Sequence, residues 1–286
     1  MDGLPILRHL RQLSCTTREP LDLAFVRGLS SLEKLVVSPA RDLSGLLGCN
    51  ISELELHTRS GQLVSLGPLR PLSALRRLRV RGQATDLRAI TALRELEDLS
   101  LGALSLTALK VLSSLSGLKS LELSGVALRD LSPIAFLRAP STLAIVESPE
   151  ALDVAGLKAW ARSLRTLTLV GKVRDLAPLG QLSNLHSLTL TRGLRLADTS
   201  LLASMGSLAE FTTADHIDWS TVPLPASLSR LQLGSSHVSL KGLRCENPLT
   251  VVIDEAATMD KESKKLGPNI VIKRVRLSDV WLSRQQ

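Results

Sequence analysis

The sequence predicts an α/β solenoid of about thirteen short repeats, each giving one strand of a parallel sheet on one face and a short helix or helical turn on the other. Two observations carry this. A motif Leu-x-x-Leu-x-Leu recurs along the chain as LEKLVV, LRRLRV, LEDLSL, LKSLEL, LRTLTL, LHSLTL and LSRLQL, with looser copies in LRQLSC, ISELEL and LAEFTT. Between these motifs an aspartate followed by Leu or Val returns at Asp22, Asp42, Asp86, Asp130, Asp153 and Asp175.

The strand assignment follows from alternation, because successive residues of a strand face opposite sides and Leu-x-Leu therefore turns two leucines inward and one variable residue outward. The second apolar position of the motif falls at Leu13, Leu35, Leu54, Leu78, Leu99, Leu121, Leu143, Leu167, Leu188, Phe211, Leu231, Val251 and Ile270, in steps of 19 to 24 residues. One repeat cannot bury its own leucines, whereas a stack of them makes a continuous core. The recurring aspartates read as turn and helix caps rather than catalytic carboxylates, since they return in register with the repeat. In RDLSPIAFL and RDLAPLGQL, Pro133 and Pro178 stand where a helical turn begins.

The stretches LELSGVALRDLSPIAFLRAP and LTLVGKVRDLAPLGQLSNLHSLTL, with this period, resemble the leucine-rich-repeat family, in particular the short-repeat subclass of the internalins and a protein-phosphatase regulator. The resemblance covers roughly residues 7 to 253 and implies a curved right-handed horseshoe whose concave sheet binds a protein. The Arg-rich, Tyr-free repeats are also similar to the repeat arrays of bacterial NTPase-type immune sensors, although no residue here belongs to an NTPase. Two departures from the family stand out. The ladder position three residues after the last strand leucine, usually Asn or Cys, holds Ala40, Arg59, Gln83, Leu104, Val126, Lys172, Gly193 and Ser236, so that edge must satisfy its backbone groups by other means. The chain also opens directly in a repeat and carries no wall-anchoring segment, so its first repeat is expected to pack against a partner, another domain or a longer chain.

Residues 1–253 are read as the repeat array and residues 254–286 as a C-terminal capping unit and basic tail, with a polar helix in DEAATMDKESKKLGP followed by a strand in PNIVIKRVRL. No apolar stretch approaches the roughly 18 residues that would cross a bilayer, and the start lacks the features of a secretion signal. Cys15, Cys49 and Cys245 are odd in number and far apart, so they read as reduced thiols. A cytoplasmic protein is expected. Cys15 stands at a core position of its repeat.

Composition also bears on function. His9, His57, His186, His216 and His237 fall in different repeats with no metal-binding spacing, and no phosphate-binding loop, nucleophile elbow or dinucleotide fingerprint is present. GSSH at 234–237 has no triad geometry by itself. The expectation is a non-enzymatic module with no metal and no cofactor, binding another protein as a scaffold or sensor. The formal charge of +8 raises the alternative of nucleic acid or another acidic ligand, but the chain has no Tyr, three Phe and three Trp, few platforms on which bases could stack.

Charged outward positions supply the candidate site. Glu53 and Glu55 are followed one repeat later by Arg76, Arg77, Arg79 and Arg81, then by Glu97 and Asp98, with Lys119 and Glu122 beyond. The acidic, basic, acidic order fits two readings: a cross-strand ladder that neutralises itself, or a charged patch for a partner. For the nucleic-acid alternative the Arg76–Arg81 run and the basic tail would bind. Further on, the outward column turns neutral at Thr166, Thr168, Ser187, Thr189, Thr191 and Thr212. Trp160 and Trp219 are expected to pack beneath their repeats.

Overall fold

The computed structural model describes residues 9–19, 21, 23–102, 109–191, 200–261, 263 and 266–276. Asp22, Leu104, Gly193, Trp281 and the basic tail beyond residue 276 lie outside the described residues. Thirteen strands are hydrogen-bonded in one sheet, in the order β1 (Gln12–Thr16), β2 (Lys34–Ser38), β3 (Glu53–His57), β5 (Arg77–Arg81), β7 (Asp98–Gly102), β8 (Ser120–Ser124), β9 (Thr142–Leu152), β10 (Thr166–Val173), β11 (Ser187–Thr191), β12 (Glu210–Thr213), β13 (Arg230–Leu233), β15 (Leu249–Asp254) and β17 (Ile270–Val275). Two minor parallel pairs join β4 (Leu63–Ser65) to β6 (Gln83–Thr85) and β14 (His237–Val238) to β16 (Thr258–Met259). The chain packs as two compact units: Met1–Ala127, Ser132–Pro140 and Ile145–Glu147 in the first, and Leu128–Leu131, Ser141–Ala144 and Ser148–Gln286 in the second.

In the first unit Leu13, Leu35, Leu54, Leu78, Leu99 and Leu121 are in parallel register. In the second, Leu167, Leu188, Phe211, Leu231 and Val251 are likewise in parallel register. From Leu35 onward these column residues are buried, each contributing about 1.5–3 kcal/mol of apolar burial. Leu13 and Cys15 face the core but are only half-buried, because β1 stands at the end of the described sheet. The last repeat departs from expectation: Ile272, not Ile270, pairs with Val251. A slip of two residues preserves the inward face, since the side-chain period is two, so the pattern of NIVIKRV could not distinguish them.

Repeats this short leave room for little more than one or two turns on the return, and the described turns are 3-10 rather than α. They include Ser44–Leu46, Ala155–Trp160 and Ala177–Gln181; Ser200–Ser204 is a single α-turn. The aspartates cap them by one geometry, in which the carboxylate accepts the backbone N–H two residues on: Asp42 from Ser44 at 2.9 Å, Asp153 from Ala155 at 2.8 Å and Asp175 from Ala177 at 2.9 Å. Asp218 and Asp254 do the same for Ser220 and Ala256. Asp86 differs. It is left-handed at φ 56°, and its carboxylate accepts the Ser65 hydroxyl at 2.6 Å.

The strand ends have their own repeated device. Gly82, Gly125 and Gly171, each four residues after the second motif leucine, carry φ of 114°, 64° and 140°. Glu147 takes that place after Leu143 at φ 57°, a conformation that costs a side-chain-bearing residue of the order of 1 kcal/mol. On this edge the pairs β4–β6 and β14–β16 satisfy backbone groups in place of the family's ladder. In the second unit a different ladder lies just before the strands: Asn184 Nδ2 donates to Arg162 O at 2.8 Å, Ser227 Oγ to Leu208 O at 2.8 Å, Asn247 Nδ2 to Ala226 O at 2.9 Å and Asn269 Nδ2 to Glu246 O at 2.7 Å.

Over residues 254–261 the expected polar helix is not what forms; residues 262, 264 and 265 lie outside the described residues. Asp254 caps a turn, and Thr258 N–H then donates to Ser236 O at 2.9 Å and opens β16. The segment's polarity serves a loop that pairs with its neighbour, not a helix face. Trp160 and Trp219 are each 3% exposed, and Trp219 Nε1 donates to Ser239 O at 3.1 Å.

A candidate interaction face on the strands

Parallel register places the charged residues of the first unit in rows across adjacent strands, about 4.8 Å apart. One row reads Lys34, Glu53, Arg77, Asp98, Ser120; the next reads Val36, Glu55, Arg79, Ser100, Glu122; His57 stands opposite Arg81. Arg77 bridges its neighbours, with Nη1 2.9 Å from Glu53 and Nε 3.2 Å from Asp98. Lys34 reaches Glu53 at 3.7 Å. Glu55 gathers three cationic or ionisable partners: His57 at 2.9 Å, Arg81 at 3.4 Å and Arg79 at 3.8 Å. Burial pushes the Glu55 carboxyl up, but the His57 hydrogen bond and the Arg79 and Arg81 charges outweigh it and hold it below the ordinary glutamate value.

Arg76, Glu97 and Lys119 do not share these rows. Each stands one residue before its strand, since alternation forbids Arg76 and Arg77 the same face. They form a marginal chain: Arg76 lies 3.8 Å from Glu97 and 3.7 Å from Glu95, and Lys119 lies 3.0 Å from Glu97. The Lys119 hydrogen bond and charge lower the Glu97 pKa. Sequence reasoning missed Lys34 and Glu95, although Lys34 occupies in LEKLVV the same motif position as Glu53 and Arg77. On the strands themselves Lys34, Arg77, Arg79 and Arg81 balance Glu53, Glu55, Asp98 and Glu122, four against four. The self-neutralising ladder is therefore realised, apart from Glu122, which has no ion-pair partner among the described residues. A concavity of about 340 Å³ opens between these side chains, lined by Glu53, Glu55, Arg77, Arg79, Asp98 and Glu122 among others.

No protein-family model matches the chain, and no curated protein matches it. Solved structures do. An internalin (inlF) from Listeria monocytogenes is 23% identical with a TM-score of 0.50, over 73% of this chain and 69% of that one. A leucine-rich-repeat protein from Leptospira interrogans is 17% identical with a TM-score of 0.51, over 96% of this chain and 75% of that one. The chain has the leucine-rich-repeat fold.

Within that fold the strand face of the second unit differs in kind. Its rows read Thr166, Ser187, Glu210, Arg230, Thr250 and Thr168, Thr189, Thr212, Gln232, Val252. Thr191, among the residues expected to face outward, is instead buried at the end of β11, and its hydroxyl has no partner among the described residues. At GSSH the Ser235 hydroxyl accepts from the His237 backbone N–H at 3.3 Å, and His237 Nδ1 lies 2.9 Å from Thr258 Oγ1. Asp260 accepts instead from the Ser239 and Ser263 hydroxyls, which lowers its pKa and fixes a loop. Among the described residues no cluster of His, Cys, Asp and Glu could hold a metal ion, and no helix is long and apolar enough to cross a membrane.

Proposed function

We propose that the chain is a protein-recognition module, the scaffold or sensing part of an assembly, which takes its partner on the strand face over Glu53, Glu55, Arg77, Arg79, Arg81, Asp98 and Glu122, with Arg76, Glu97 and Lys119 along the margin. The observation that supports this best is the 340 Å³ concavity whose walls are charged side chains already held by cross-strand pairs. Side chains ordered in advance have less rotamer freedom to lose when a partner arrives. Glu122, which has no ion-pair partner among the described residues, leaves one charge open for the partner. An intracellular setting fits the three cysteines, none of which is in a disulfide.

The nucleic-acid alternative draws little support from this arrangement. Each of Arg76, Arg77, Arg79 and Arg81 has a carboxylate within 4 Å, so a phosphate would have to displace it. The test is retention of a partner from native extract on the immobilised chain, comparing wild type with an Arg77→Glu/Arg79→Glu variant that keeps its circular dichroism. A partner held by wild type and lost from the variant is the expected result. Equal retention refutes the site, and duplex DNA binding that fades steeply with salt would put the nucleic-acid reading in its place.

A further inference from the structure

We infer that the rim of the first unit, where the chain leaves β2 and β3, is a docking site for an acidic segment of a partner protein, whose carboxylates pair with Arg41 and Arg59 and whose apolar side chain rests on Leu63. This rim lies beyond the strands, and the inference stands whether or not the charged lattice is used. Past their strands the chain passes continue side by side: Ala40 N–H donates to His57 O at 2.7 Å, and Thr58 N–H to Arg81 O at 2.9 Å. The first bond sets Ala40 beside Thr58, so Arg41 and Arg59 follow on adjacent passes about 4.8 Å apart. Both are exposed, and neither has an ion pair or a side-chain hydrogen bond among the described residues. Arg18, at the matching place one repeat earlier, is likewise exposed and unpaired.

Like charges set side by side destabilise a fold, so stability does not explain the pair. The neighbouring acids do not quench it. Asp42 gives its carboxylate to the Ser44 N–H and hydroxyl, and these bonds are what lower its pKa. Glu19, exposed on the adjoining pass, has no ion pair among the described residues. On the strands, by contrast, Arg77, Arg79 and Arg81 each have a carboxylate within 4 Å. The chain is also built out at this rim. The repeat that starts from Leu54 is five residues longer than the one before it, and part of the extra length forms a turn in which Gln62 N–H donates to Arg59 O at 3.0 Å, with Gly61 at φ 75°. Insertions in repeat proteins gather in loops on one face, often the binding face. The turn fixes the backbone of Arg59 and is followed directly by Leu63, 55% exposed. Guanidinium forks take carboxylates bidentately, and the exposed leucine beside them favours a protein segment over a bare phosphate. Residues 38–44 and 57–66 hold no Phe, Tyr or Trp, so a nucleobase has no ring there to stack on.

The experiment pans a phage-displayed random peptide library on the intact chain and titrates the enriched peptides in low salt against wild type, Arg41→Gln/Arg59→Gln, Leu63→Ser and Arg77→Glu/Arg79→Glu. The expected result is peptides that carry two acidic residues close to an apolar one. They should bind about ten-fold more weakly to Arg41→Gln/Arg59→Gln and about three-fold more weakly to Leu63→Ser, equally well to the Arg77→Glu/Arg79→Glu variant, and less well as salt is raised. Failure to enrich acidic peptides, or affinities unchanged by Arg41→Gln/Arg59→Gln, overturns the inference. Loss confined to Arg77→Glu/Arg79→Glu also overturns it and gives the peptides to the strand face. Duplex DNA held by wild type and lost from Arg41→Gln/Arg59→Gln, with no acidic peptide enriched, overturns it in favour of nucleic acid. A folding control belongs with it: Arg41→Gln/Arg59→Gln is expected to keep or raise Tm, because it removes adjacent like charges. A lowered Tm would show that the two arginines serve the fold and would remove the premise.

Discussion

The strand face of each unit rests on its own column of buried apolar residues in parallel register, yet the two faces treat their polar groups in opposite ways. In the first unit, Glu53, Arg77 and Asp98 satisfy one another across three strands, and Glu55 is held by three partners. In the second, the corresponding row is uncharged, Thr168, Thr189, Thr212 and Gln232, and Glu210 and Arg230, adjacent in register, have no ion-pair partner among the described residues. A repeat architecture fixes the core and leaves the outward positions free to differ, so one fold can carry two strand faces of different chemistry.

The largest effects should be indifferent to that contrast. Leu54→Ala in the first unit and Leu188→Ala in the second, each removing a side chain at most 2% exposed, are each expected to cost about 2–5 kcal/mol, measured by urea denaturation. A much smaller cost in one unit would mean that the two faces do not share an equivalent core. Next in size come the turns. Asp175→Ala should cost about 1 kcal/mol through loss of its bond to Ala177 N–H. Glu147→Gly should instead gain up to about 1 kcal/mol by relieving the left-handed backbone, read as a rise in urea midpoint.

Much of this was legible in advance, for a physical reason. The strand register follows from a hydrophobic period that repeats thirteen times, and the caps at Asp42, Asp153 and Asp175 follow from their constant offset. Legibility ended where the pattern allowed two solutions: Ile270, Val271 and Ile272 fit either register, and residues 254–261 are as polar as an exposed helix while forming a capped turn and a short strand. Asn184, Asn247 and Asn269 went unread because their ladder lies before the strands, where the family's lies after them. In the candidate site, the acidic, basic, acidic order was visible, and so was the chance that it would pair with itself. The low exposure of Thr189 and Gln232 in the second unit was not, because it depends on side chains brought in from neighbouring repeats.

Acid should separate the two faces further. The Glu55 pKa is lowered in the folded chain, so its contribution to stability is present above the ordinary glutamate value and is lost as pH falls through the lowered folded value. The Glu55→Gln variant should therefore lose less stability on acidification than wild type, while Thr189→Val should follow wild type. Parallel acid curves for wild type and Glu55→Gln would show that the lattice holds Glu55 no better than water does.

The smallest effect is the most direct test of the contrast itself: paired double-mutant cycles, in low salt, on Glu53 with Arg77 and on Glu210 with Arg230. The expected result is a coupling of about 0.2–1 kcal/mol for the first pair, fading in high salt, and none for the second. No coupling between Glu53 and Arg77, or an equal one between Glu210 and Arg230, would contradict the distinction between a closed charged face and an open neutral one.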